Sequence, residues 1–522
     1  MVVTACPDWT DYRKKNGLDP LGMQNTSVAL YQRLLPGISN VTLRMRYYGF
    51  YAWLSGVYVR RIGDTNPKSW QRFVRRAEAL YALAAQTRGG EIGIAGILWA
   101  QRKLGGGNGE VSFAEDAEPG SPSYYLKQAW GAYGAAYQSQ LFEVGIFSEA
   151  SGHAIPVPSP VIGEELAAAF AVACGALADR FITKVEQGSI TQRELEEFAP
   201  LTPDGIERDS SERAVYERLL FGEAGTERPQ DLDRRNTMLL LLELALQLGR
   251  RPNVDDVRWA FYSGYLPDGT ALHCPDALDD QRRRWWLYHA NDLCHICLET
   301  LLKFLLDLLE THPAGTPLAE LIAEAVAEIT EAAGAVAGSW SAFLAQTVPA
   351  PNASAEEVPA ADRALAKAVI WAARPGDEHR CTPDAAWQAV QLLAVLTKRV
   401  HGLSANALRE LSDFEGGAFR SLLTETRFLD AHATLPLKEL LARLLEERVL
   451  RRHFWIALRK LRYQSDYTFL YEADNGRIRL RGKDGPVFTN PRLAPALTFL
   501  ADIHLLDAEG LTASGRRRIG RP

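Results

Sequence analysis

Cysteine, long apolar runs and recognisable catalytic motifs are all scarce in this sequence. Its six cysteines are scattered over 522 residues, which excludes the dense disulfide framework of a small secreted domain and predicts reduced thiols. The start, MVVTACPDWTDYRKKNG, lacks the basic segment and apolar run of a secretory signal. The apolar segment LCHICLETLLKFLLDLLE carries Glu299, Lys303 and Asp307, and such charges disfavour a membrane span. We therefore expect a cytoplasmic protein without a membrane partner.

The familiar signatures of catalysis are missing as well. The sequence contains no Gly-x-Ser-x-Gly elbow, protein-kinase set, Walker loop or His-Glu-x-x-His motif, which argues against α/β-hydrolases, kinases, P-loop NTPases and zincins. We predict no cofactor and favour a protein that is not an enzyme. An active site assembled from scattered residues stays open as an alternative.

Residues that favour helices dominate the chain. The richness in Ala, Leu, Glu and Arg predicts a mainly α, multi-domain protein with a small α+β module at the C-terminus. Changes in composition predict a basic, aromatic-rich helical domain over 1–150 and an acidic helical domain over 151–345. A Pro/Ala-rich linker follows at 346–363, then a helical region at 364–440 and a basic module at 441–522.

Charge is distributed unevenly along the chain. Residues 41–90 hold nine Lys/Arg against two Asp/Glu, and residues 441–522 hold sixteen against nine, so each segment carries +7. The net charge of the whole chain is −6. Two basic segments around an acidic middle predict an anionic partner, although a basic surface can also dock on the acidic groups of its own protein.

The segment 41–62, VTLRMRYYGFYAWLSGVYVRRI, combines six aromatic side chains with four arginines. It predicts a helix capped by Asn40 or Thr42. Projected at 100° per residue, one face forms an apolar stripe of Leu43, Tyr47, Phe50, Leu54 and Val57. The stripe predicts packing in a core.

A flank of the same helix is a candidate nucleic-acid surface. It carries Arg46, Trp53 and Arg60, and arginines beside an aromatic side chain suit phosphate contact combined with base stacking. The next helical pattern adds three arginines on one face, namely Arg72, Arg75 and Arg76. The alternative for the whole flank is that its arginines are ion-paired or lie along the edge of the core.

The C-terminal region contains a predicted β-hairpin. YTFLYEADNGRIRLRG alternates around Asp-Asn-Gly, a strong hairpin signal. Because strand side chains repeat every two residues, Arg477, Arg479 and Arg481 share one face. Like charges on one face call for a counter-charge, so a phosphate backbone or an acidic partner is expected there.

The end of the chain predicts a helix and a basic tail. Asn490 is a predicted helix cap with Pro491 at the first helical position. The ending LLDAEGLTASGRRR resembles the close of bacterial winged-helix domains, in which a helix ending Leu-Leu precedes Leu-Thr-x-x-Gly. The resemblance covers residues 441–522 and implies a small DNA-binding module. Its tail would contact phosphate through Arg516, Arg517 and Arg518.

Cysteines and histidines cluster around residue 290. Cys294 and Cys297 are spaced as Cys-x-x-Cys, with Cys274 upstream. Zinc needs four converging ligands, whereas Cys297 falls in the apolar stripe of a helical pattern, so buried thiols are the preferred interpretation. We predict no metal and keep these three cysteines as the alternative metal site.

Arg284 and His289 are spaced as Arg-x4-His, which resembles the catalytic motif of HEPN ribonucleases. The resemblance implies an all-helical enzyme in which these two residues cleave RNA without a metal. Trp285 stands where those enzymes usually carry a polar residue. A further polar group on the same helix predicts a solvated side, made of Asp292, His295 and Glu299.

These features together predict a non-catalytic nucleic-acid-binding component of a bacterial multi-protein complex of the kind found in phage defence. The expected partners are nucleic acid, with DNA favoured over RNA, and other protein subunits. Two alternatives stay open, a HEPN-like ribonuclease or toxin and a protein assembly scaffold.

Overall fold

The computed structural model describes residues 19–90, 92–105, 109–148, 155–223, 228–334, 338–347, 357–372, 379–412 and 420–521, with side chains described over 362–369 only within the helix that begins at Glu357. Of the predicted linker at 346–363, residues 348–356 lie outside this description, and the helix Glu357–Ala372 begins within the rest of it.

Helices account for most of the described chain. The first ten are α1 (Gln24–Leu34), α2 (Arg46–Arg61), α3 (Pro67–Thr87), α4 (Ile97–Leu104), α5 (Ala114–Ala117), α6 (Gln138–Glu143), α7 (Ile162–Cys174), α8 (Ala176–Gln187), α9 (Gln192–Glu197) and α10 (Ser211–Leu220). They continue as α11 (Pro229–Leu248), α12 (Val254–Ser263), α13 (Asp276–Leu309), α14 (Leu318–Ala332), α15 (Trp340–Thr347), α16 (Glu357–Ala372), α17 (Pro383–His401), α18 (Ala405–Ser412), α19 (Leu422–Ala431), α20 (Leu437–Arg443), α21 (Arg451–Gln464), α22 (Leu493–Asp502) and α23 (Ala513–Arg518).

Strands are short and few by comparison. They are β1 (Glu110–Ser112), β2 (Phe147–Ser148), β3 (Val157–Pro158), β4 (Ser189–Thr191), β5 (Thr316–Pro317), β6 (Tyr471–Asp474), β7 (Arg477–Leu480), β8 (Leu506–Asp507) and β9 (Gly510–Leu511). Three antiparallel pairs join β1 with β4, β2 with β3 and β8 with β9, and a three-stranded sheet has the order β5-β7-β6. The prediction of a mainly α protein is confirmed.

The chain forms two compact units, each assembled from separate segments. The first unit contains residues 19–30, Arg258–Ala271 and Arg283–Thr489, and the second contains Tyr31–Val257, Leu272–Arg282 and residues 490–521. The predicted hairpin therefore belongs to the first unit and the last two helices to the second. The winged-helix resemblance of 441–522 stays a prediction.

Several local signals were interpreted correctly. The predicted hairpin is present, with Asp474 paired to Arg477 across a two-residue turn. Asn475 and Gly476 both have positive φ, 49° and 73°, as the type I′ turn of a two-residue hairpin requires. The stretch SITQRELEEF offers Ser189 and Thr191 as candidate helix caps, and Thr191 is the cap of α9. It forms a capping box with Glu194, in which each side chain satisfies a free backbone N–H of the first turn.

Two predicted helix starts were wrong. Helix α2 begins at Arg46 after Met45, so neither predicted cap, Asn40 or Thr42, caps it. Thr42 instead accepts a hydrogen bond from Ser39 N in the preceding turn. Helix α22 begins at Leu493, after Arg492 in a left-handed conformation, so Asn490 does not cap it. In both places the chain makes a further turn before the helix, which a propensity argument does not anticipate.

Aromatic side chains form the core of the second unit. Phe50 of α2 stacks on Tyr81 of α3 with ring centroids 4.3 Å apart, and Trp53 lies 5.3 Å from Phe170 of α7. A Cβ placed on Gly49 would lie 2.1 Å from Tyr216 Oη. The missing side chain at this position lets α10 approach the backbone of α2.

In the first unit, α17 packs against α14, α16 and α19, and α21 packs against the hairpin. The ring of Tyr471 in β6 lies 5.5 Å from that of His453 and 6.3 Å from that of Phe454, both in α21, measured between ring centroids. The hairpin is thereby held along one side of α21.

No single helix in the described part of the chain is long and apolar enough to cross a membrane. Helices α7 and α8 together reach that length and apolar character, but they are bent by 97° relative to each other.

Candidate nucleic-acid interface

The flank of α2 predicted to face nucleic acid lies mostly in the core. Arg46 is fully buried, and its guanidinium makes a bidentate pair with Glu212, with both N···O distances 2.9 Å. Nη1 of Arg46 also donates to Thr202 O at 2.7 Å. Burial alone lowers the pKa of this guanidinium, but Glu212 outweighs burial and raises it. A fully paired, buried arginine cannot contact a phosphate while the protein is folded, so this prediction was wrong.

Trp53 and Arg75 are also in the core. Trp53 packs against Phe170 and is 2% exposed. Arg75 is fully buried, donates to the carbonyl oxygens of Ala117 and Leu126, and lies 5.0 Å from the ring of Tyr125. Burial lowers the pKa of Arg75. These two side chains stabilise the second unit and do not line a surface.

Three further arginines of this region lie closer to solvent. Arg60 is exposed at the end of α2. Arg72 Nε lies 2.9 Å from Glu118 Oε1, and Arg76 Nη2 lies 3.6 Å from the same oxygen. The carboxylate of Glu118 therefore neutralises part of the predicted basic face.

The hairpin arginines have local partners as well. Arg477 is exposed on β7 and donates to Gly315 O at 2.8 Å. Arg479 Nη1 lies 3.7 Å from Asp474 Oδ2, and Arg481 Nε lies 3.0 Å from Glu472 Oε1. The expected counter-charges come from the hairpin itself. An exposed pair of this kind contributes little to stability, about 0–1 kcal/mol, so Arg477 and Arg479 can still reach an external anion.

The C-terminal arginines differ from one another. Arg516 and Arg517 are exposed on α23, whereas Arg518 pairs with Glu223 and lies 4.0 Å from the ring of Phe221. Of the predicted basic tail, the first two residues present their charge at the surface and the third anchors α23.

The surroundings of Arg284 and His289, the HEPN-like pair, do not favour a catalytic role. His289 is buried, stacks on Trp285 with centroids 5.7 Å apart, and has no hydrogen-bond partner among the described residues. Burial lowers its pKa well below the ordinary value, helped by Arg258. Arg284 Nε donates to Glu410 at 3.2 Å. A catalytic histidine must reach its substrate, and His289 is enclosed by apolar rings.

The cysteines are thiols with no shared metal geometry in the described part of the chain. Cys294 and Cys297 are buried in α13, and burial raises the pKa of both. Cys274 belongs to the second unit, whereas the other two belong to the first.

A basic and aromatic surface that the sequence did not reveal lies on α21. From Arg451 to Gln464 this helix contains five Lys/Arg and no Asp/Glu. Its outer side exposes large apolar side chains together with cations, namely Arg451, Phe454, Trp455, Leu458, Arg459, Leu461, Arg462 and Tyr463. We call these eight residues the α21 surface.

Rings and guanidinium groups alternate on the α21 surface. Trp455 is 41% exposed and Tyr463 is 72% exposed. The guanidinium of Arg459 lies 5.6 Å from the Trp455 ring, and that of Arg462 lies 5.5 Å from the Tyr463 ring. These distances are within the range of cation–π attraction. Arg459 and Arg462 thus hold the rings in place, while the rings and the guanidinium groups remain accessible to a ligand.

A cavity of about 560 Å³ opens beside the α21 surface. Its walls include Arg459, Lys460 and Tyr463 from α21, and Asp19 and Asn25 from the chain around the start of α1. The segment before α1 is tied to α21, because Arg452 Nε donates to Leu21 O at 2.8 Å and Lys460 Nζ donates to Asp19 O at 3.1 Å.

The polar face of α13 is buried, contrary to the predicted solvated side. His295 lies between two carboxylates, with Nε2 2.7 Å from Glu299 Oε1 and Nδ1 3.5 Å from Asp292 Oδ1. Asp292 accepts hydrogen bonds from Thr489 N at 3.1 Å and Thr489 Oγ1 at 2.9 Å. The i, i+3, i+7 spacing predicted one shared face correctly, but other segments cover that face.

Burial and neighbouring charges shift the pKa values of His295 and Glu299 on this face. Burial lowers the pKa of His295, but Glu299 and Asp292 outweigh burial and hold it well above its usual value. Burial raises the pKa of Glu299 to about 7, opposed by His295. Carboxylate and imidazole ligand atoms of Asp19, His295 and Glu299 all lie within 4.8 Å of one another, which makes them the group among the described residues that could hold a metal ion.

Comparison with known proteins does not identify a relative. No protein-family model matches the chain, and neither a curated protein nor a solved structure shows significant similarity to it.

Proposed function

We propose that this protein binds single-stranded nucleic acid through the α21 surface, as a non-catalytic component of a larger complex. The proposal rests on the exposure of Trp455 and Tyr463, each beside an exposed arginine (Arg459 and Arg462), on a helix without a single carboxylate. Unpaired bases stack on exposed aromatic rings, and neighbouring arginines contact the phosphates. The stacking of one base contributes about 1–3 kcal/mol in such sites.

The hairpin and a cavity lie next to α21. Tyr471 of the hairpin packs against Phe454 of α21, and Arg477 and Arg479 are exposed on the other strand of the hairpin. The cavity beside Tyr463 has room for a group from the ligand.

Of the five cations of α21, Arg452 is buried, Lys460 is half-buried and Arg451 pairs with Glu446. Arg459 and Arg462 are exposed on a helix without acidic residues, so a strand of phosphates is a fitting counter-ion for these two. An acidic protein segment would satisfy the cations but would not need the stacked rings.

The test is fluorescence anisotropy with a labelled 20-nucleotide single-stranded DNA, measured from low to high salt. The double variant Arg462→Gln/Tyr463→Ala should bind more than tenfold more weakly. Each phosphate that the variant no longer neutralises should reduce the log–log salt slope by about 0.7. RNA and duplex DNA of the same length show which nucleic acid is preferred.

The chain offers a matched control. In the second unit Lys127 Nζ lies 6.0 Å from the exposed Tyr124 ring, so Lys127→Gln/Tyr124→Ala removes a similar cation–aromatic pair from another surface. This variant should bind like the unmodified protein. Equal weakening in both variants would indicate nonspecific attraction, and no binding by the unmodified protein at low salt would refute the proposal.

A further inference from the structure

A buried histidine with unsatisfied ring nitrogens lies beside the cavity of the first unit. Nε2 of His295 is 2.7 Å from Glu299 Oε1, yet this contact lacks the direction of a hydrogen bond, and neither ring nitrogen nor Oε1 has a hydrogen-bond partner among the described residues. Both side chains are almost completely buried. Buried polar atoms are normally satisfied, so the arrangement calls for a further ligand.

Asp19 completes the group from the cavity side. It is half-buried and lines the cavity of about 560 Å³, and its Oδ1 accepts from Met23 N at 2.9 Å and Gln24 N at 3.2 Å. The other carboxylate oxygen, Oδ2, has no such bond to these amides. The ligand atoms of Asp19, His295 and Glu299 all lie within 4.8 Å of one another.

The spacing suits a single ion. Metal–ligand bonds to imidazole nitrogen and carboxylate oxygen are about 2.1 Å, so two ligands of one ion lie roughly 3–4 Å apart. Small side-chain movements bring Nε2 of His295 and the oxygens of Glu299 and Asp19 to these distances. One nitrogen and two carboxylate oxygens suit the first-row divalent ions, among them Mn²⁺ and Zn²⁺.

The surroundings of His295 are those of a metal ligand. A histidine that binds a metal through one nitrogen usually donates from the other to a carboxylate. Asp292 Oδ1 lies 3.5 Å from Nδ1 of His295, and Thr489 holds Asp292 in place through its backbone N–H and its hydroxyl. Other charged groups of the described chain close to the site include Lys460, whose Nζ donates to Asp19 O, Arg452 and Asp484.

We propose that Asp19, His295 and Glu299 bind one divalent transition-metal ion, reached from the cavity and oriented by Asp292. The site rests on geometry within the first unit and is independent of the nucleic-acid proposal.

The experiment uses the full chain, freed of metal with a chelator and titrated with MnCl₂ or ZnCl₂. Equilibrium dialysis should show one equivalent bound, and the melting temperature should rise with metal concentration because the ion binds the folded state. Pulsed electron paramagnetic resonance of the Mn²⁺ form should show coupling to one imidazole nitrogen.

The variants separate metal ligands from structural charges. Asp19→Asn keeps an oxygen for Met23 N and Gln24 N but loses a charged ligand, and it should abolish stoichiometric binding, as should Glu299→Gln. Asp292→Asn should weaken binding about 10–100-fold, as the loss of an outer partner does. The control Glu425→Gln removes another buried glutamate of the first unit, one that lies 3.4 Å from Arg448, and should leave binding unchanged.

The contrary result is that Asp19, His295 and Glu299 form only an internal ion pair and bind no metal. Three observations would show this: no bound metal in the folded, unmodified chain, unchanged affinity in Asp19→Asn, or a Mn²⁺ signal without nitrogen coupling. Because Asp19 is half-buried and the variant retains the helix cap, Asp19→Asn keeps the test decisive even where Glu299→Gln does not fold.

Discussion

Helices α2 and α21 have similar compositions and opposite environments. Both combine arginines with aromatic side chains, and neither contains an acidic residue. In α2, Arg46 and Trp53 are enclosed by α7 and α10, whereas in α21 the rings of Trp455 and Tyr463 are open to solvent. An arginine–aromatic pattern alone therefore does not distinguish a core helix from a binding surface. What distinguishes them is whether other elements supply carboxylates and carbonyls for the guanidinium groups.

The largest expected effect concerns the buried pair of α2. Arg46→Ala leaves Glu212 charged, buried and without its partner, which typically costs about 3–5 kcal/mol of unfolding free energy. Urea denaturation should show this loss, while Arg60→Ala at the exposed end of the same helix should stay within about 0.5 kcal/mol. Equal, small losses in both variants would mean that α2 is as open as α21.

The free energy of unfolding should depend on pH through His453, which lies on the buried side of α21. His453 Nε2 accepts from Leu470 N at 2.9 Å and Nδ1 lies 3.1 Å from Pro20 O, so one neutral tautomer fits both contacts. Burial lowers the pKa of His453 to about 4. The unfolded chain therefore takes up a proton as the pH falls through about 6.5 while the folded chain does not, and this linkage lowers the free energy of unfolding by about 3 kcal/mol between pH 6.5 and 4.

Denaturation of the unmodified protein and of His453→Gln across this pH range measures the linkage. The variant should be less stable at pH 7 and should lose less stability on acidification than the unmodified protein. Parallel pH profiles for the two proteins would contradict the neutral, buried histidine.

A smaller effect is expected where α10 approaches α2. Gly49→Ala places a Cβ 2.1 Å from Tyr216 Oη, and overpacking of this kind costs about 1–3 kcal/mol. Gly56→Ala is the matched control, since the nearest atom to its Cβ is the flexible end of Arg60 at 3.2 Å. Thermal denaturation of the two variants should differ by several degrees, and identical melting temperatures would show that α10 yields without strain.

The smallest effect on stability should come from the α21 surface. Tyr463→Ala removes a ring that is 72% exposed, and exposed substitutions usually change the unfolding free energy by less than about 0.5 kcal/mol. The same variant should weaken binding to single-stranded DNA. A large loss of stability would place Tyr463 in a core and remove the contrast between the two helices.

The sequence predicted those local features that depend only on residues close together in the chain. The alternation around Asn475 and Gly476 predicted the hairpin because only a few residue types accept positive φ at both turn positions. The cap of α9 was predicted at Ser189 or Thr191, and Thr191 is the one whose side chain meets a backbone N–H three residues on. The shared face of Asp292, His295 and Glu299 followed from the helical period alone.

The sequence did not predict which face of an amphipathic helix is buried. In α21, one apolar side contains Ile456 and Ala457 and is buried, while another contains Trp455 and Leu458 and is exposed. The hydrophobic pattern has two candidate core faces, so it could not show which one other elements would cover. The cations without any carboxylate were the one signal at 451–464 that pointed to a surface.

Helical class, the hairpin turn and the cap at Thr191 were determined by the sequence itself, because backbone preferences and side-chain periodicity act over a few residues. Only the tertiary structure decided that Arg46 meets Glu212, 166 residues away, and that Asp19 lies beside His295 and Glu299. The free energy of an arginine or a carboxylate depends on which distant groups surround it and exclude water. That environment exists only once the segments have packed together.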